Sequence, residues 1–95
     1  MLVNLSLQVI PNVKEEDIYY VVDQVIARIA ESGLKYEVGP METTIEGELD
    51  ELLKIVKDSQ EICVKHGASR VFSVVKIYYN PEGVTIDEKI GKYRK

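Results

Sequence analysis

The 95-residue chain has one cysteine, one phenylalanine and no tryptophan, and His66 is its one histidine. A single thiol, Cys63, cannot close an internal disulfide, so a disulfide-stapled scaffold is excluded and a reduced, cytoplasmic setting is the expectation. No Cys/His spacing resembles a metal site, and neither a metal nor a cofactor is expected. Positive charge is also scarce. Twelve Lys and Arg stand against sixteen Asp and Glu, for a net charge of −4. A nucleic-acid backbone or an anionic membrane needs a dense basic face, so neither is expected as the partner. The only basic cluster is the tail Lys89, Lys92, Arg94 and Lys95, diluted by Asp87 and Glu88. Long apolar runs are missing: none approaches the ~18 residues of a membrane span. The opening MLVNLSLQVIP alternates and lacks a basic stretch, unlike a signal peptide.

What is present fits one small domain over residues 1–95. Hydrophobic residues make up 45% of the chain, enough for a core. A chain this short buries a modest fraction of its surface, so association with further copies would help it.

The hydrophobic pattern changes period along the chain. In residues 2–10, Val3, Leu5, Leu7 and Val9 share one face and Asn4, Ser6 and Gln8 the other, as in a half-buried strand that Pro11 ends. Over residues 14–32, Ile18, Val21, Val22, Val25, Ile26, Ile29 and Ala30 recur at three and four, the spacing of an amphipathic helix. Asn12 and Glu15 resemble a capping box at its start, and Gly33 supplies the left-handed stop. Residues 34–39 and 43–47 read as short strands parted by Pro40. Residues 48–66 form a second helix with an acidic first turn, closed by His66-Gly67. Residues 69–80 are the longest strand, with Val71, Val75, Ile77 and Tyr79 expected inward. Pro81-Glu82-Gly83 turns the chain, and Thr85 with Glu88 is a capping box for a short last helix ending near Tyr93.

The order β-α-β-β-α-β with right-handed crossovers predicts an α+β, ferredoxin-like plait: a four-stranded antiparallel sheet with two helices on one face and a short C-terminal helix. One sheet face is then bare. It carries the polar Asn4, Ser6, Gln8, Thr44 and Glu46 beside the apolar Phe72, Val74 and Tyr78, which marks an interaction surface. RNA recognition would need aromatics on the first and third strands, and these are absent there. The loop VIPNVKEED is acidic and has no Arg, unlike a phosphate-cradling phosphatase loop.

The runs Glu31-Ser32-Gly33-Leu34-Lys35-Tyr36 and Gly39-Pro40-Met41-Glu42-Thr43-Thr44-Ile45-Glu46-Gly47-Glu48 are not demanded by a generic plait. Together with Arg70-Val71, Lys76-Ile77, and the leading strand with Ser6 and Pro11, they resemble the small YkoF-like thiamine-binding family over nearly the whole chain. That resemblance implies plaits paired into a continuous sheet and stacked as a homotetramer, a dimer of dimers. It also implies a pyrimidine ligand, thiamine or its hydroxymethylpyrimidine half.

On that basis Ser6, Tyr36, Thr43, Thr44, Glu46 and Lys76 are the candidate ligand-binding residues. Glu46 either takes hydrogen bonds along an aminopyrimidine edge or is a surface acid set ahead of a helix N-terminus. Thr43 and Thr44 offer hydroxyls, or are plain β-branched strand formers. Ser6 is a small polar group on the open face. Tyr36 either stacks on a heteroaromatic ring or packs. Lys76 is either a cross-sheet charge partner for Glu46 or an exposed lysine. No nucleophile with its base can be nominated, so no catalytic residue is expected. The expected function is non-catalytic binding, in sensing, buffering or transport of thiamine precursors. The alternative is a regulatory or assembly module for another metabolite or a protein partner, with an enzyme of pyrimidine or thiamine metabolism third.

Overall fold

The structure is a computed structural model and describes residues 1–93; Arg94 and Lys95 of the basic tail lie outside the described residues. The chain runs through β1 (Val3–Pro11), a 3-10 turn (Glu15–Asp17), α1 (Ile18–Glu31), β2 (Lys35–Val38), β3 (Thr43–Gly47), α2 (Leu49–Lys65), β4 (Val71–Tyr78) and α3 (Ile86–Ile90). A second 3-10 turn, Gly91–Tyr93, follows. The sheet order is β2-β3-β1-β4, and each neighbouring pair is antiparallel. This is the ferredoxin-like plait the sequence pattern predicts.

The period-two pattern of β1 sorts its side chains as expected. Val3, Leu5 and Leu7 enter the core with Ile45 of β3, Val21, Val25 and Ile29 of α1, and Leu52, Ile55 and Cys63 of α2. Removing such side chains from water, at about 1.5–3 kcal/mol each, is the main force holding helices to sheet. Arg28 of α1 also donates to Asp58 of α2 at 2.9 Å. Gly47 ends β3 where a Cβ would stand 2.9 Å from Leu34 Cδ1, so its missing side chain is room for core packing.

Three local expectations are corrected. Asn12 does not cap α1. Its amide donates to Ser69 Oγ at 2.9 Å, tying the end of β1 to the start of β4, and the helix opens through the 3-10 turn with no side-chain cap. Val75, Ile77 and Tyr79 are not inside: Ile77 is 46% exposed. β4 is an edge strand, and α2 reaches it near Ser73, whose hydroxyl bonds to Gln60, leaving the later half uncovered. Finally, the sheet face opposite α1 and α2 is not fully bare. α3 lies on it, with Ile86 and the preceding Val84 buried. The Thr85 cap does form: its Oγ1 accepts from Glu88 N–H at 3.2 Å.

Candidate ligand-binding site beneath the C-terminal helix

Residues directly opposite one another on antiparallel strands share a face. The register therefore sets two cross-strand rows on the α3 side of the sheet: Glu37, Thr44, Ser6 and Lys76, then Lys35, Glu46, Asn4 and Tyr78. Two adjoining cavities open along these rows. One, of about 310 Å³, is lined by Ser6, Lys76, Ile77 and Tyr78; the other, of about 250 Å³, by Glu37, Gly39, Ile86 and Ile90. Asn4, Glu42, Thr44 and Lys89 line both.

Asn4 is the most informative of these residues. It is only 3% exposed. Its Nδ2 donates to the Val84 carbonyl at 3.4 Å. A carbonyl accepts only from the NH₂ end of an amide, which fixes the orientation of the side chain. Asn4 Oδ1 is then buried with no hydrogen-bond partner among the described residues. Leaving an acceptor dry and unpaired costs about 1–3 kcal/mol, so such an atom calls for a reason.

The β2–β3 hairpin supplies a second group. Gly39 N–H donates to the Glu42 carbonyl at 2.9 Å, and a Cβ on Gly39 would meet that same oxygen at 2.9 Å. Only glycine permits so close a turn. It returns Glu42 over the sheet, where its carboxylate meets Lys76 Nζ at 2.9 Å. The bond from Lys76, with a contribution from the Ser6 hydroxyl, holds the Glu42 carboxyl below its ordinary value.

The candidate residues separate. Ser6, Thr44 and Lys76 come together at the first cavity. Glu46 lines neither cavity; its Oε1 accepts from the Ile86 N–H at 2.7 Å and pins the start of α3. Lys76 is therefore not its partner: Lys76 lies in the neighbouring row and pairs with Glu42. Tyr36 and Thr43 share a face with Ile45 and Leu7, on the opposite side of the sheet. Thr43 instead borders a more apolar groove of about 390 Å³ between α1 and the hairpin, lined by residues such as Leu7, Val22 and Met41. Asn4, Glu42 and Lys89 line both cavities and are not among the candidates named from sequence, although Asn4 is placed on the polar face. Asn4 carries a signal, a polar residue on the leading strand. Glu42 and Lys89 carry none, because a hairpin turn and a last helix bring them in.

No His or Cys lines either cavity. Burial raises the Cys63 thiol pKa, and its side chain sits in the core. Among the described residues no group of His, Cys, Asp and Glu could hold a metal ion, and no helix is long and apolar enough to cross a membrane.

The fold is a ferredoxin-like plait with a part-polar, two-chambered cleft beneath a short terminal helix, the concave kind of surface that small molecules occupy. The sequence profile of thiamine-binding proteins matches residues 5–94, and the chain belongs to that family. It is 60% identical over 91 residues to a UPF0045 protein of Clostridium perfringens, covering 96% of each chain. Among solved structures it resembles a domain of unknown function, DUF77, from Bacillus cereus: TM-score 0.92, 53% identity, 99% of this chain and 91% of that one. It also resembles a Thermotoga maritima protein assigned to thiamine biosynthesis/salvage: TM-score 0.92, 38% identity, 99% of this chain and all of the other. The family match gives the chain a thiamine-related role, and neither the family's description nor the relative's names a catalytic activity.

Proposed function

We propose that this chain binds thiamine or its hydroxymethylpyrimidine half in the cleft beneath α3, without catalysis, to sense, buffer or carry thiamine precursors. The observation that carries the reading is the unpaired, buried Asn4 Oδ1. An aminopyrimidine presents an exocyclic NH₂ donor beside a ring-nitrogen acceptor. Asn4 Oδ1 takes the first, and the Thr44 hydroxyl serves the second. Ile86 and Ile90 flank the ring with apolar surface. Non-catalysis is supported by the state of Glu42: a carboxyl paired with Lys76 and held low is a poor general base.

The same reading includes self-association. Among the described residues β4 has no strand on its outer side, and it exposes apolar side chains on both faces, Ile77 on one and Phe72, Val74 and Tyr78 on the other. β2, the opposite edge, is four residues long and carries Lys35 and Glu37, the kind of charged, short edge that resists pairing. Two copies joined along β4 would form a continuous sheet, and stacking of two such sheets would give the tetramer. A buried, unpaired Cys63 suits a reduced cytoplasm.

Isothermal titration of the full chain with thiamine and with hydroxymethylpyrimidine tests the ligand. Saturable binding of at least one, at one ligand per protomer, is expected. No heat from either at millimolar ligand would overturn the reading.

A further inference from the structure

Lys89 stands on the wall common to both cavities. Its ammonium lies 4.2 Å from the centroid of the Tyr78 ring. The other two lysines of this face are spent on acids, Lys76 on Glu42 and Lys35 on Asp87. Lys89 takes part in none of the ion pairs among the described residues. An aromatic face steadies a cation without neutralising it. Lys89 thus stands over an aromatic face, outside the ion pairs among the described residues. The larger cavity also holds Lys76 and Glu42, and the Glu42 carboxylate is met by Lys76 and the Ser6 hydroxyl, so Lys89 adds a positive charge that the acid of this cavity does not match.

We propose that Lys89 makes the larger cavity an anion subsite, so that the site takes an aminopyrimidine whose side arm ends in a phosphomonoester. The inference rests on the pyrimidine reading and deepens it. The smaller cavity, beneath Ile86 and Ile90, receives the ring; the larger receives the phosphate. Asn4 and Thr44, which line both, mark the junction. A phosphate brings several anionic acceptor oxygens to an ammonium of opposite charge, and charge-assisted hydrogen bonds are the strong ones.

The test titrates the full chain with three probes: hydroxymethylpyrimidine, its monophosphate ester, and inorganic phosphate. The ester is expected to bind roughly tenfold or more tightly than the alcohol, the gain typical of one hydrogen bond to a charged group. Lys89→Met should bring the ester-to-alcohol ratio to about one, and Lys89→Arg should keep it high. Melting curves of both variants establish that they fold. Equal affinity for ester and alcohol in the unaltered chain, or a preference that survives Lys89→Met, would overturn the anion subsite while leaving the pyrimidine reading standing. Binding of phosphate that depends on Lys89, with neither pyrimidine bound, would keep the subsite and remove the pyrimidine reading.

Discussion

Replacing Asn4 with leucine separates binding from folding more sharply than any other change in this molecule. Leucine has the branching and heavy-atom count of asparagine, is somewhat bulkier, and has no polar atoms. The substitution removes an acceptor that is buried without a partner, a burden of about 1–3 kcal/mol. It also removes the Nδ2 bond to the Val84 carbonyl, which at 3.4 Å belongs at the weak end, about 0.5 kcal/mol. The balance favours the variant by roughly 1 kcal/mol. For a domain of this size that raises the melting temperature by about 4–8 °C. Binding moves the other way. The ligand's amino group loses its acceptor and stays desolvated, so affinity for the pyrimidine falls by about 5- to 100-fold. Differential scanning calorimetry and titration on the same preparations, at equal protomer concentration, read both effects. A variant that melts lower and binds as before would refute the reasoning, since Asn4 would then be a structural amide satisfied by its surroundings.

Three further outcomes are expected. Glu46→Ala removes a bond of 2.7 Å to the Ile86 N–H, so hydrogen exchange at the α3 amides should speed up by roughly tenfold, with Glu46→Gln intermediate; unchanged exchange at Ile86 would show that Glu46 does not hold the helix. The Glu42 carboxyl, lowered by Lys76, should titrate below 4.5 in carboxyl-carbon NMR and return toward that value in Lys76→Ala; a titration at or above 4.5 in the unaltered chain would contradict the ion pair. Because the folded value is the depressed one, the pair's contribution is full above about 4.5 and is lost as pH falls through the lower folded value. Light scattering at micromolar concentration should give a multiple of 10.8 kDa, and Phe72→Asp with Ile77→Asp should lower it; a monomer mass for the unaltered chain would end the case for assembly.

The plait was legible because each element declares its period. β1 alternates from Val3 to Val9, and Gly33 and Gly67 both take the positive φ that ends a helix. The misreadings arose where one local signal served two masters. Asn12 and Glu15 have capping-box spacing, but Asn12 meets Ser69 across 57 residues, a contact no local pattern contains. Val75, Ile77 and Tyr79 alternate correctly, but alternation says which residues share a face and not whether a helix covers it. Glu46 has the sequence position of an acid near a helix start, and it is one. The helix is α3, 40 residues further on, rather than α2 next door. The site is the least legible part because five of its twelve lining residues come from the hairpin turn and from α3, whose positions depend on tertiary contacts.

The two faces of β1 show how a chain this short carries both a core and a cleft. Val3, Leu5 and Leu7 anchor both helices on one side. Asn4 and Ser6 occupy the positions between them on the other, where a second apolar layer would reject them. Since period two sends neighbours to opposite faces, the polar residues can be placed without loss to the core. The consequence falls on α3. The polar rows beneath it give up little apolar area, so it is held by Val84 and Ile86, by the Glu46 bond and by an exposed Lys35–Asp87 pair. Contacts of that kind belong to the low-stability end of a structure and can break while the core stays intact. A cleft whose floor is rigid sheet and whose roof is the most weakly held helix is therefore a physical result of where the polar residues of β1 fall.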